Sequence, residues 1–254
     1  MLNMPISTYK IQADKSKILC FFICVVLINF LFSLNLSAQN SKKTISFREQ
    51  NKNSNYISFS FGMGILYSNN PSLTKFIELD VPNYTFIPNE QTVSSFTTGI
   101  QFFGGAEFQL TKKFSVKSEY AYLIKSIDVP TNKNYQYSYF THQPMIQLYY
   151  IFLQDYSYIK FGIGGGYFIS RFIRKERVVE TKYTSSGTGI KAEGIFNAQL
   201  GKSAAVYLCG FLMNSFMSDL KNENGNHLLN LNNEKVNLSS FGAGFRLGVE
   251  VFIF

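Results

Sequence analysis

From residue 57 onward, apolar side chains recur at every second position. Strict alternation of this kind marks β-strands with one apolar face, and no stretch beyond residue 54 repeats its apolar positions at 3.6 residues. The first segment sets Ile57, Phe59, Phe61, Met63, Ile65 and Tyr67 against Ser58, Ser60, Gly62 and Gly64. Similar segments follow at about 94–110, 114–127, 137–152, 157–171 and 189–200. Another, at about 205–217, is apolar on both faces, so its facing is open. The last, about 238–253, alternates Phe241, Phe245, Leu247, Val249, Val251 and Ile253 with Ser240, Gly242, Gly244, Arg246, Gly248 and Glu250. Eight strands are predicted.

The links between them alternate in length. Those after the second, fourth and sixth segments are short: Thr111-Lys112-Lys113, 153–157 and 201–204. Those after the first, third, fifth and seventh span about 68–93, 128–136, 172–188 and 218–236. All short turns therefore fall at one end and all long loops at the other. A β-sandwich with Greek-key links does not sort its loops this way, whereas an outer-membrane barrel does, with short periplasmic turns and long external loops. Segments of this length also suffice, since about 9–11 tilted residues cross a bilayer. The predicted fold is all-β: an eight-stranded antiparallel up-and-down transmembrane β-barrel with both termini on the periplasmic side.

Eight strands leave a lumen that ordinary side chains just fill, too small for this many Phe. The apolar faces are therefore assigned to lipid and the polar faces to the inside. The inward set holds Glu107, Lys117, Glu119, Lys125, Lys160, Lys191, Glu193, Arg246 and Glu250, four acids against five bases. Centring the second hairpin on Lys112 puts Glu107 across from Lys117. Buried charge is tolerable when paired and costly alone, so the expectation is a plug of salt bridges, not an open channel. Inward glycines, such as those at 162, 164, 244 and 248, leave room for the longer side chains and relieve curvature. Tyr135, Tyr137, Tyr139 and Phe140 at one end, with Tyr149, Tyr150, Tyr156 and Tyr158 at the other, are expected to form the interfacial aromatic girdles.

Composition agrees. The chain of 254 residues is 17% aromatic but only 16% charged, against about a quarter charged in a soluble domain. Its three Cys and two His offer no disulfide framework and little for a metal. Lys10, Lys15 and Lys17 precede an apolar run, Ile18 to Leu36, broken only by Asn29, Ser33 and Asn35. That arrangement reads as a secretory signal peptide cut after Ala38; the rival is an uncleaved anchor. Residues 1–38 are thus the signal, 39–54 a polar periplasmic segment and 55–254 the barrel. Cleavage removes three Lys, one Asp, Cys20 and Cys24, taking the formal charge from +8 to +6.

Within that barrel, Tyr139-Phe-Thr-His-Gln-Pro-Met-Ile-Gln-Leu-Tyr-Tyr150 resembles the fourth-strand pattern of the PorT-like outer-membrane β-barrel family. Phe161-Gly-Ile-Gly-Gly-Gly-Tyr167 resembles the Gly-rich strand that follows it. The resemblance covers about residues 55–254. It implies a barrel delivered by a signal peptide and inserted by the barrel assembly machinery, with no single biochemical activity attached. Phe254 is similar to the aromatic ending of barrel insertion signals.

Some eight-strand barrels modify lipid A with a His, a Ser and an acid near the outer rim. His142 and His227 are the only bases of that type, with Ser138 and Ser170 as possible nucleophiles, but no spacing selects a triad. The expectation is no catalysis and no cofactor. Cys209 reads as an apolar filler. Arg171, Arg174, Lys175 and Arg177, with Lys182 nearby, crowd the third long link, and Arg binds phosphate through paired donors. They are candidate contacts to lipopolysaccharide, the alternative being a solvated rim. Expected partners are outer-membrane lipid and lipopolysaccharide for a monomeric barrel, with nucleic acid excluded by export. A structural, surface-binding or envelope role leads, ahead of a lipid-A enzyme or a narrow pore.

Overall fold

A computed structural model describes residues 57–80, 97–128, 135–153, 157–200 and 203–253. Residues 1–56, which include the expected signal and polar segments, and Tyr156 and Phe254 lie outside the described residues. The strands are β1 (Ile57–Asn69), β2 (Thr98–Gln109), β3 (Phe114–Asp128), β4 (Tyr135–Leu153), β5 (Ser157–Glu176), β6 (Val179–Gln199), β7 (Ala204–Met217) and β8 (Ser240–Ile253). Each pairs antiparallel with the next, and β1 pairs with β8 to close the barrel.

Alternation sets which way each side chain points. Phe245 is 74% exposed while its neighbour Arg246 is 1% exposed. The same inversion runs round the wall: Phe61, Phe102, Ile146, Ile163, Ile190 and Leu212 face out. From Ile57 to Tyr67 every outward residue of β1 is apolar. Ten steps at about 3.3 Å, tilted by about 40°, give an apolar belt roughly 25 Å tall, the height of a hydrocarbon core. An apolar surface this large is not stable in water. The chain spans a membrane with its strands; no helix among the described residues is long and apolar enough to do so.

The register settles β7. Cys209 lies between Ile195 of β6 and Arg246 of β8, all three inward. Tyr207, Cys209, Phe211 and Met213 are therefore buried, and Leu208, Leu212 and Phe216 face out. Pro144, lacking an N–H, interrupts the β4–β5 ladder between His142↔Ile169 and Met145↔Gly166.

Three expectations are corrected. Five of the girdle tyrosines are turned inward, Tyr135, Tyr137, Tyr139, Tyr149 and Tyr158, all at most 8% exposed, while Phe140 and Tyr150 keep the outward phase. Each of the five shares the phase of an inward polar residue, as Tyr149 does with Gln147. Outward rings instead come from Tyr67, Tyr167, Phe216 and Phe241 toward the long-loop end, and Phe108, Phe114 and Phe152 toward the other. Second, 172–188 is not a loop. The strands β5 and β6 continue to a two-residue turn at Arg177-Val178, with Glu176 opposite Val179 and Arg177 at φ 53°.

Third, the link after β1 contains a helix, α1 (Pro71–Asp80). Proline at its first position suits a helix start, and the Thr74 N–H donates to the Asn70 carbonyl at 2.9 Å. Leu73, Phe76 and Ile77 form a buried stripe at i, i+3 and i+4. Phe76 packs edge-on against Tyr137 and Phe172, with centroids 6.5 and 6.2 Å away. Residues 218–239 fold over the same end: Leu220, Leu228, Val236 and Leu238 are buried there, and the Asn70 amide donates to the Leu238 carbonyl at 3.1 Å. Tyr137, Phe172 and these cap residues thus make a buried apolar layer at the long-loop end.

Candidate functional site

Below that aromatic layer the lumen is filled by the charged set. Toward the short-turn end, the Lys160 ammonium reaches Glu107 at 2.6 Å and Glu250 at 3.2 Å. Ser115 donates to Glu107 at 2.7 Å, and Ser58 and Tyr158 donate to Glu250 at 2.6 and 2.9 Å. Asn197 is a further donor to Glu250.

Mid-height, Glu119 accepts from three cations: Lys117 at 2.8 Å, Lys191 at 2.7 Å and Arg246 at 2.7 Å. Lys191 bridges on to Glu193 at 2.7 Å, which also takes the Tyr149 hydroxyl. The Gln147 amide is set with its oxygen toward Lys191 and its nitrogen toward Tyr149. Arg246 Nε donates to Gln101 at 2.9 Å, and Gln101 to Gln143 at 2.6 Å. The guanidinium lies 4.9 Å from the Phe103 ring and 4.6 Å from Phe211, and such faces attract cations. Higher up, Lys125 donates to Ser68 at 2.6 Å.

All nine predicted lumen charges are buried, but register does not choose their partners. Glu107 does stand opposite Lys117, yet Glu107 bonds Lys160 and Lys117 bonds Glu119. Long inward side chains converge on the barrel axis, where distant strands meet; Arg246 and Glu119 are 127 positions apart in sequence. Tyr149, Tyr158, Gln101, Gln143 and Asn197 complete the network, and their phase was the readable signal for each. Glycines opposite inward rings make room: a Cβ on Gly162 would lie 2.4 Å from the Tyr149 ring, and one on Gly189 2.2 Å from Phe168.

The basic hairpin splits into two sets. Arg174 turns inward and grips Asp80 of α1, with Nε and Nη2 at 2.7 and 2.8 Å from its two oxygens; Glu176 lies 3.2 Å away. That grip removes Arg174 from the outer face. Arg171 and Lys175 are exposed on the outward phase of β5, Lys182 on that of β6, and Arg177 sits in the turn.

The residues considered for catalysis are not brought together. His142 is exposed on the outer face between Tyr120 and Tyr122 and shares a hydrogen bond with the Tyr120 hydroxyl. Ser170 points the opposite way, to Thr141 at 2.9 Å in the lumen. Ser138 pairs with Ser126 at 3.3 Å. His227 lies in the cap, its Nδ1 3.5 Å from Asp219. Cys209 is buried with its thiol 3.5 Å from Glu193. Among the described residues no group of three His, Cys, Asp or Glu is placed to hold a metal.

No family model and no curated protein matches the chain. Solved structures similar to it include the Neisserial surface protein NspA, at 8% identity over 78% of this chain and 96% of that one, with a TM-score of 0.44. The attachment invasion locus protein Ail of Yersinia pestis, crystallised with a heparin analogue, is 8% identical over 79% and 99%, with a TM-score of 0.46. The outer membrane protein OprG of Pseudomonas aeruginosa is 12% identical over 78% and 95%, with a TM-score of 0.44. From its own strand pairing, this chain is a closed, antiparallel, eight-stranded β-barrel with an apolar outer belt and a lumen packed with paired charge.

Proposed function

We propose that this chain is an outer-membrane surface barrel with a structural or binding role, one that transmits nothing through its lumen. One observation carries the reading: buried side chains fill the lumen, ion-paired across the axis at two levels with aromatic rings above them, beneath a cap formed by α1 and residues 218–239. Conduction would require breaking buried ion pairs, each of which costs several kcal/mol to separate. In this proposal residues 1–38 direct export, the barrel assembly machinery inserts the monomer, and the PorT-like resemblance of 139–150 and 161–167 reflects membership of that family. The outer leaflet supplies a partner, lipopolysaccharide, for the outward cations Arg171 and Lys175.

Planar bilayers with the purified mature protein test the sealed lumen. The expected record is flat up to voltages at which open porins conduct, and steady stepwise current overturns the proposal.

A further inference from the structure

The outward face of β6 changes character along its length. Lys182, Thr184, Ser186 and Thr188 succeed one another at the long-loop end, followed by Ile190, Ala192 and Gly194 within the belt. Across the strand pair, Arg171 stands opposite Thr184 and Ile173 opposite Lys182. This places Arg171 and Lys182 as diagonal neighbours on one face, with like charges that repel. Among the described residues no acid pairs with Arg171, and Lys182 meets only Glu180, at 3.4 Å and half exposed. Two cations beside three hydroxyls, level with the top of the belt, match a sugar phosphate. Guanidinium binds phosphate oxygens in pairs, and hydroxyls donate to either.

Directly in line, the wall is indented. A groove of about 510 Å³ lies on the lipid side of β5–β8, lined among others by Phe161, Ala192, Gly194, Gly210, Leu212 and Phe245. Its floor is low because Gly194 pairs with Gly210, flanked by Phe161 and Phe245. The space is real at Gly210: a Cβ there would meet only the Phe245 ring, at 3.7 Å. Because the groove faces hydrocarbon, its occupant is a hydrocarbon chain. From Thr184, opposite Arg171, to Ala192 is eight residues, roughly 26 Å of strand, a span one glycolipid covers from headgroup phosphate to acyl chain.

We infer that the lipid-facing side of β5–β7 presents a two-part site for one phosphorylated glycolipid, with Arg171 and Lys182 on the headgroup phosphate, the Thr184–Thr188 hydroxyls along its sugar, and an acyl chain in the Gly194/Gly210 groove. The inference rests on the outer-leaflet reading above and narrows it to one ligand class and one face.

Native mass spectrometry of the mature protein, exchanged into detergent with added diphosphoryl lipid A, tests it. The wild type is expected to retain one lipid A per barrel in the presence of inorganic phosphate, which lacks the chain. Arg171→Gln with Lys182→Gln is expected to lower retention about tenfold, and so is Gly210→Leu, which fills the groove. Heat-modifiable migration confirms that each variant is folded, and Ala192→Leu replaces Gly210→Leu if that barrel does not close. Retention unchanged in either the cation or the groove variants overturns the two-part site, as does displacement of lipid A by inorganic phosphate. The bilayer record is taken on wild-type protein alone, so failure of this site and failure of the sealed-lumen proposal are separate results.

Discussion

Asp80, the last residue of α1, receives both a 2.7 Å and a 2.8 Å hydrogen bond from the guanidinium of Arg174. It also accepts the Tyr137 hydroxyl at 2.8 Å. One carboxylate thus ties the helical cap to β4 and β5 at once. Replacing it by Asn keeps the shape and removes the charge that strengthens these bonds. Asp80→Asn is expected to weaken the cap locally by about 1–3 kcal/mol. Hydrogen exchange checks this: amides of residues 73–80 exchange faster, while those of β1 and β8 keep their protection.

A second latch responds to acid. The Lys75 ammonium bonds Glu234 at 2.7 Å, and with the Asn230 amide at 2.8 Å it holds that carboxyl below its usual range. A lowered folded-state value means the contact contributes fully above the unfolded carboxylate pKa of about 4.3 and is lost as pH falls through the folded value. Exchange of the α1 amides, corrected for intrinsic rates, should therefore rise between about pH 5 and pH 3. In Glu234→Gln that acid-dependent rise should be smaller.

Glu119 neutralises more cations than any other lumen acid. With it removed, Lys117, Lys191 and Arg246 remain buried around Glu193 alone. Breaking a buried network from one side costs about 3–5 kcal/mol, so Glu119→Gln should lower stability to urea in lipid vesicles by that order. Lys182→Gln, breaking a half-exposed pair, should change it by less than about 1 kcal/mol.

Two glycines on opposite faces of the wall should differ. At Gly162 an added Cβ would lie 2.4 Å from the Tyr149 ring, forcing that tyrosine away from Glu193. Gly162→Ala is expected to cost about 1–3 kcal/mol. Gly210→Ala meets only ordinary contact with Phe245 at 3.7 Å and should leave the urea midpoint nearly unchanged.

The sequence by itself determined the eight strands, the up-and-down order and the face that meets lipid. Each follows from alternation, a property the extended backbone imposes locally: Phe245 and Arg246 must point opposite ways wherever the strand lies. Phase also carried the burial of Arg246, Glu119 and Lys160. Position along the chain puts Tyr137 and Tyr149 at the rims, but their phase turns them inward. Tertiary structure alone decided the rest. The facing of Tyr207 and Cys209 needed the register with β6 and β8, because both faces of β7 are apolar. The ten residues of α1 carry too short an apolar stripe to stand out until Tyr137 and Phe172 give it something to cover. Glu107 is bonded by Lys160, and not by the Lys117 opposite it, because closing the sheet brings distant strands within a side chain's length across the axis, a distance no linear pattern encodes.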